Sequence, residues 1–272
     1  MARLIDTLPE PKVVREKKVI VLSRSRVGTF SLYQAMKMIG YKPYHMWEVT
    51  MHGVPHMRIF EEALRCKYLG GGKPYGKAEF DKWLANYDSV IEIPQFFVEE
   101  FIEFYPDAQF ILTERGVESW AKSMGVTIGP LLKSVRGFPF NVARRIDAYM
   151  EAFCSLHFVL DDAWFHGKGP ERGMEDAKRD FLADHAKAKV LLSKEKLLVA
   201  KLEDGFGWEQ ICPFLGLDIP STPYPRGNAP AQFEQLGKQV LGPGIRKVGI
   251  LIVSVILVPV VGIGAWYIFR DA

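Results

Sequence analysis

The sequence predicts an α/β protein in three layers, α/β/α around a central parallel sheet, with a single C-terminal transmembrane helix. Three observations carry this. Short apolar runs alternate with stretches long enough for helices. Polar residues stand just past several of those runs, where a parallel sheet exposes the C-terminal ends of its strands and binds ligands. The chain also ends in a long uncharged apolar run, Val248 to Phe269.

Residues 1–16 read as a leader without strong pattern. Val19-Ile20-Val21-Leu22 is the first strand, and Leu32 to Ile39 carries a helical pattern with Gly40 as its C′ residue. Residues 41–56, rich in Pro, Gly and His, read as loop. Short helices follow at about 57–66 and 77–86. Val90-Ile91 and Phe110-Ile111-Leu112 are the second and third strands. Asn141 to Phe165 reads as one long helix, and Glu175 to Lys194 as a second with a solvated, highly charged face. Leu197 to Leu202 is the fourth strand. One domain over 17–228, a linker over 229–247 and a span over 248–269 account for the chain.

At ~1.5 Å per residue, a helix over 248–269 crosses a hydrocarbon core. Arg246-Lys247 and Arg270-Asp271 bracket it, and Trp266-Tyr267 sit where an aromatic belt lies. The polar N-terminus has no apolar h-region, so it is not a signal peptide. This arrangement predicts a tail anchor, with the domain on the cytosolic side.

A net charge of +3 over 272 residues gives no footprint for nucleic acid. Cys66, Cys154 and Cys212 are odd in number and widely spaced, which fits buried thiols better than a disulfide framework. His52 and His56 are four apart, but Gly53 and Pro55 between them argue against a helical metal pair, and no metal is expected. Gly70-Gly71-Gly72 follows no strand and does not match G-x-G-x-x-G, so a dinucleotide fingerprint fails there.

The most informative segment is Ser23-Arg24-Ser25-Arg26-Val27-Gly28-Thr29-Phe30-Ser31, between the first strand and the first helix. Loop amides and the positive end of a helix dipole there form a cradle for an anion. Arg24 and Arg26 add charge; Ser25, Thr29 and Ser31 add hydroxyls. The loop lacks the Gly-Lys pair of a Walker A motif. Arg26, Glu92 and Arg115 all lie just past predicted strand ends, so they are expected to meet in one crevice.

Ser25-Arg26-Val27-Gly28-Thr29 resembles the P-[KR]-[ST]-G-T loop of sulfotransferases, departing at Ser25 and Val27. Thr113-Glu114-Arg115, with Ser123 eight residues further on, resembles that family's 3′-phosphate pair. More closely, the chain is similar to the sulfotransferase-like P-loop proteins common in fungi. It shares with them Tyr44-His45-Met46 with Glu48-Val49, Gly72-Lys73-Pro74-Tyr75, Glu118-Ser119-Trp120, Gly207-Trp208-Glu209 with Cys212 and Phe214-Leu215-Gly216, and Pro223-Tyr224-Pro225-Arg226-Gly227-Asn228. The likeness runs from about Lys18 to Asn228. Glu92 and Gly116 stand where that family usually has Asp.

The resemblance implies a P-loop-type sandwich and sulfuryl transfer from 3′-phosphoadenosine 5′-phosphosulfate, without a metal, to a hydroxyl of a small, lipophilic metabolite. In that reading the 5′-phosphate is held by Arg24, Ser25 and Arg26, by the amides of Val27, Gly28, Thr29 and Phe30, and by Ser31. The 3′-phosphate falls to Arg115 and Ser123, with Arg226 as a second cation. Arg26 steadies the leaving group. Glu92 is the general base, made more basic by burial, and His45 is the alternative base. Three other readings stay open: a nucleotide kinase or NTPase, which lacks its P-loop Lys here; a membrane-anchored nucleotide-binding protein without turnover; and sulfation followed by elimination, a net dehydration.

Overall fold

The structure is a computed structural model. It describes residues 3–226, 234 and 237–270, without the side chains of 256–265 and 267–269. Five parallel strands form one sheet: β1 (Val19–Val21), β2 (Pro43–Tyr44), β3 (Ser89–Ile91), β4 (Gln109–Glu114) and β5 (Leu197–Lys201). Their order is β2-β3-β1-β4-β5. Val19 sits opposite Ser89 on one side and Gln109 on the other. The helices are α1 (Leu4–Thr7), α2 (Thr29–Met38), α3 (Met46–Met51), α4 (Val54–Tyr68), α5 (Lys77–Trp83) and α6 (Val98–Phe104). They continue as α7 (Val117–Ser134), α8 (Phe140–Ile146), α9 (Ala148–Phe165), α10 (Gly169–Leu191), α11 (Trp208–Leu215) and α12 (Gly242–Arg270).

The expected three-layer parallel architecture is present. All three β1 residues are fully buried, because successive strand side chains point to opposite faces and both faces are covered. Ile20 packs into the larger core with Phe60 and Leu64 of α4, Trp120 and Met124 of α7, and Leu156 and Leu160 of α9. Val19 and Val21 pack the other way, against Leu32, Tyr33 and Met36 of α2 and Ile211 of α11.

The four expected strands are found, and a fifth, β2, lies inside the segment read as loop. β2 is two residues long, begins at a proline and pairs at the sheet edge, so it leaves no apolar run to read. The same segment holds α3, whose N-cap is His45. α2 ends as expected, with Gly40 following at φ 91°.

The expected helix from Asn141 to Phe165 is instead two. Asp147 is extended (φ −141°, ψ 121°), and its Oδ1 accepts from the Met150 amide at 2.9 Å, starting α9 afresh. Its Oδ2 holds Lys247 of α12 at 2.6 Å. Burial works to raise the Asp147 carboxyl, but Lys247 and the Met150 amide outweigh it and hold it below the ordinary 3.8. Asp147→Ala is therefore expected to cost about 1 kcal/mol at neutral pH, read by thermal unfolding. A group with a depressed folded pKa stabilises above its unfolded value, so the gap between wild type and variant should close as pH falls below 3.8.

α10 begins at Gly169, before the expected Glu175, because Pro170 sits in its first turn. Gly173 lets the end of α9 approach: a Cβ there would lie 2.5 Å from the Phe165 carbonyl oxygen. Cys66, Cys154 and Cys212 are buried and free, as read from their spacing.

Within the stretch read as a linker, a π turn (Gly237–Leu241) leads into α12. The first turns of α12 are docked on the domain. Val248 is 1% exposed against Ala143 and Met150. Among the described residues no helix is long and apolar enough to cross a membrane, so the expected transmembrane helix gains no support here. That expectation, Val248 to Phe269, falls largely on side chains outside the described residues.

Candidate active site

β1 delivers the basic loop to the centre of the sheet's C-terminal edge, and neighbouring elements clamp it. The Ser23 Oγ accepts from the Thr113 amide at 2.7 Å, and the Thr113 Oγ1 donates to the Val27 carbonyl at 2.9 Å. Trp120 of α7 donates its indole N–H to the Ser25 carbonyl at 2.9 Å. Gln95, in the 3-10 turn after β3, completes the clamp. Its Oε1 accepts from the Ser25 amide and the Trp164 indole, both at 3.2 Å. Its Nε2 donates to Ser25 Oγ at 3.1 Å and to the Glu92 carbonyl at 2.7 Å.

Two non-glycine residues here hold left-handed backbone, Arg26 at φ 72° and Glu92 at φ 69°. Such conformations cost free energy and collect at functional sites. Gly28, at φ 83°, then turns the chain into α2 with no side-chain cap. Within a helix the first-turn amides lack backbone partners, so those of Thr29 and Phe30 present the positive end of the α2 dipole.

These residues line a cavity of about 220 Å³. Ser25, Arg26, Gly28, Thr29, Phe30, Ser31, His45, Glu92 and Arg115 contribute to it, with Ile128, Leu131, Leu160 and Trp164 as an apolar wall. The expected meeting of Arg26, Glu92 and Arg115 in one crevice is thus observed.

Other expected site residues are placed differently. Arg24 turns away: its Nη2 pairs with Asp184 at 2.6 Å, and it lines a separate polar cleft. Asp184 lies on α10, and the resulting part-buried ion pair keeps Arg24 out of the cradle. The Val27 side chain is fully buried in the core, so only its backbone is available. Arg226 is exposed and does not line the cavity. Arg115 is joined to Ser119, not to Ser123: its Nε donates to Ser119 Oγ at 2.9 Å and its Nη1 to the Arg26 carbonyl at 3.0 Å. Ser123 instead accepts from Arg26 Nε at 3.3 Å. Gly116, where the fungal pattern has Asp, opens α7, and its amide donates to Glu203 at 3.1 Å. A carboxylate from the end of β5 thus occupies that helix N-terminus.

The two candidate bases touch. His45 Nε2 lies 2.6 Å from Glu92 Oε2, although its N–H is not aligned for a hydrogen bond. His45 Nδ1 accepts from the Trp47 amide at 3.0 Å, so the ring hydrogen is on Nε2, facing the carboxylate. Phe30 packs edge-on to the His45 ring at 5.9 Å and holds it there. Burial works to raise Glu92, but the contacts of His45 and Ser25 and the charge of Arg26 outweigh it and keep the carboxyl below the ordinary 4.5. The expectation that burial makes Glu92 more basic is therefore overturned. Arg26 is itself drawn below the usual arginine value by burial; Glu92 opposes that and Arg115 adds to it.

Sequence reasoning missed Gln95, Ser119, Trp164 and His157. Only Ser119 carried a signal, since it stands one helical turn from both Arg115 and Ser123.

The chain is 34% identical over 218 residues, 76% of its own length and 79% of the relative's, to the Ava biosynthesis cluster protein M of Aspergillus versicolor. A crystal structure of a sulfotransferase from Alicyclobacillus acidocaldarius covers 88% of this chain, and is itself 96% covered, at 14% identity and a TM-score of 0.44. The model of the sulfotransferase domain matches residues 18–233, a stretch that takes in β1 to β5 and every residue lining the cavity, and on that match the chain belongs to the sulfotransferase domain family.

Proposed function

We propose that this protein transfers a sulfuryl group from 3′-phosphoadenosine 5′-phosphosulfate to a hydroxyl of a small, largely apolar metabolite. The observation that carries the reading is one cavity lined together by Arg26, Arg115, Glu92, the first turn of α2 and the apolar residues Ile128, Leu131, Leu160 and Trp164. The residues present fit the donor. A bisphosphorylated nucleotide needs two cationic patches, and Arg26 with the α2 amides is one, Arg115 with Ser119 the other. When bound, the donor supplies the sulfuryl group and takes up negative charge on its 5′-phosphate as the bridging oxygen–sulfur bond breaks.

Arg26 and the amides of Thr29 and Phe30 stabilise that developing charge without reorganising, because the loop is clamped by Gln95, Thr113 and Trp120. Ser25 donates its amide to Gln95 Oε1, its Oγ accepts from Gln95 Nε2, and its side chain contacts Glu92, so it acts by holding the loop and the carboxylate. Arg115 positions Arg26 through its carbonyl and offers its remaining donors to the 3′-phosphate. Glu92 takes the proton of the acceptor hydroxyl as the new oxygen–sulfur bond forms. His45, its Nδ1 held by the Trp47 amide and its Nε2 against Glu92, orients the carboxylate and is a positioning residue in this reading.

The first test is nucleotide choice. The protein should bind adenosine 3′,5′-bisphosphate at least ~10-fold more tightly than ATP in calorimetry, because its two phosphate sites are separate and no P-loop Lys meets a γ-phosphate. Equal affinity with Mg²⁺-dependent hydrolysis of ATP would favour a nucleotide kinase or NTPase instead.

The Aspergillus relative is named as a protein of a biosynthesis cluster, which supports a role in secondary metabolism here too. The apolar sequence from Val248 to Phe269 supports a C-terminal membrane anchor, with the domain facing the cytosol and its pool of donor. The full chain is expected to resist carbonate extraction from microsomes, and protease added outside intact microsomes should digest the domain. Release by carbonate would remove the anchor; protection of the domain would reverse its orientation.

A further inference from the structure

Besides Glu92 and the hydroxyls of Ser25, Thr29, Ser31 and Thr50, the cavity has a ring-nitrogen acceptor among its apolar lining residues. His157 of α9 lines it, as do Leu160 of the same helix and Ile128 and Leu131 of α7. Its Nδ1 lies 2.7 Å from the Phe153 carbonyl oxygen. A carbonyl can only accept, so Nδ1 carries the ring hydrogen and Nε2 presents a lone pair. The Phe153 ring packs at 4.0 Å between centroids and fixes the imidazole. Among the described residues nothing hydrogen-bonds Nε2, and this atom is not sealed within the protein. Burial pushes His157 down to about 4, so the ring is neutral at physiological pH.

A lone acceptor in an apolar wall loses its water when a ligand fills the cavity, and that loss is offset only by a donor on the ligand. The reacting hydroxyl carries one proton, and in the proposed chemistry that proton goes to Glu92. It cannot also satisfy His157. A second donor on the same acceptor can.

We propose that His157 is a specificity residue that accepts a hydrogen bond from a second hydroxyl of the acceptor, so that the site selects dihydroxylated apolar molecules over monohydroxylated ones. This inference rests on the sulfuryl-transfer reading of the cavity. It leaves the reaction itself unchanged: His157 neither takes the proton nor touches the sulfuryl group.

The test is binding to the full-length protein in detergent, loaded with adenosine 3′,5′-bisphosphate, using 2-naphthol and the naphthalene diols that add one further hydroxyl to it. At least one diol should bind ~10-fold or more tightly than 2-naphthol in calorimetry. His157→Phe should abolish that preference while leaving nucleotide affinity unchanged, which also checks its folding. His157→Gln, whose side-chain oxygen can take the place of Nε2, should retain much of it. No diol preferred by the wild type, or a preference that survives His157→Phe, overturns the proposal. The absence of a wild-type preference is decisive on its own, and where His157→Phe fails to fold, retention of the preference in His157→Gln together with its loss in His157→Leu carries the assignment. If adenosine 3′,5′-bisphosphate does not bind the wild type at all, it is the sulfuryl-transfer reading that fails, and the inference falls with it.

Discussion

Glu92→Gln should slow sulfuryl transfer by about 100-fold or more while nucleotide affinity stays within a few-fold, measured with labelled donor and, separately, by calorimetry. Gln keeps the shape and the neighbours of Glu92, which is 8% exposed, but cannot take a proton. Because His45, Ser25 and Arg26 together hold the carboxyl below 4.5, Glu92 is ionised throughout the neutral range. The acid limb of its pH–rate profile should therefore lie below pH 4.5, and Glu92→Gln should remove that limb. A low-pKa carboxylate is a weak base for an alcohol. Much of its effect must then come from being placed against the acceptor, on a strained backbone at φ 69° that fixes the side chain. His45→Ala should give a smaller loss, concentrated in kcat, because it frees the carboxylate to swing. A His45→Ala variant as slow as Glu92→Gln, with Glu92→Gln near normal, would move the proton to His45.

Much of this site could be read from the chain because its parts are local. A strand, a basic loop and a helix start occupy consecutive residues from Val19 to Met38, so the cradle follows from pattern alone. The strand-end rule likewise gathers Arg26, Glu92 and Arg115, since each needs only its own apolar run to be recognised. What could not be read depends on distant partners. Arg24 and Arg26 look equivalent in the sequence. One turns to Asp184, 160 residues away, and the other into the cavity. The lowered pKa of Glu92 comes from His45, which arrives from a segment with no readable element of its own. Ser119 and Ser123 lie one turn apart on α7, and only the folded geometry divides them between Arg115 and Arg26. The break at Asp147 was readable in principle, since Asp is a favoured N-cap, but the apolar periodicity on both sides ran through it. His157 carries no pattern because its value lies in which ring nitrogen its own helix occupies.

Arg115→Ala should weaken binding of adenosine 3′,5′-bisphosphate by on the order of 2–4 kcal/mol, since a charge-assisted contact is lost and a phosphate is left unpaired. The same variant should bind adenosine 5′-phosphate nearly as well as the wild type does. That difference separates the two things Arg115 does. Its Nη1 supports the loop through the Arg26 carbonyl, and loss of that bond would affect every ligand of the cradle alike. Its remaining guanidinium donors serve only a ligand carrying a 3′-phosphate. Arg115→Lys makes the same point from the other side. A lysine keeps the charge but not the planar fork, so it can face Ser119 and the Arg26 carbonyl or the phosphate, but not all of them. It should recover part of the affinity for the bisphosphate. If Arg115→Ala lowers the affinity for both nucleotides equally, the residue holds the loop and the second phosphate site lies elsewhere. Arg226, which is exposed and outside the cavity, would then need to swing in with the ligand to supply it, and Arg226→Ala should carry the larger loss.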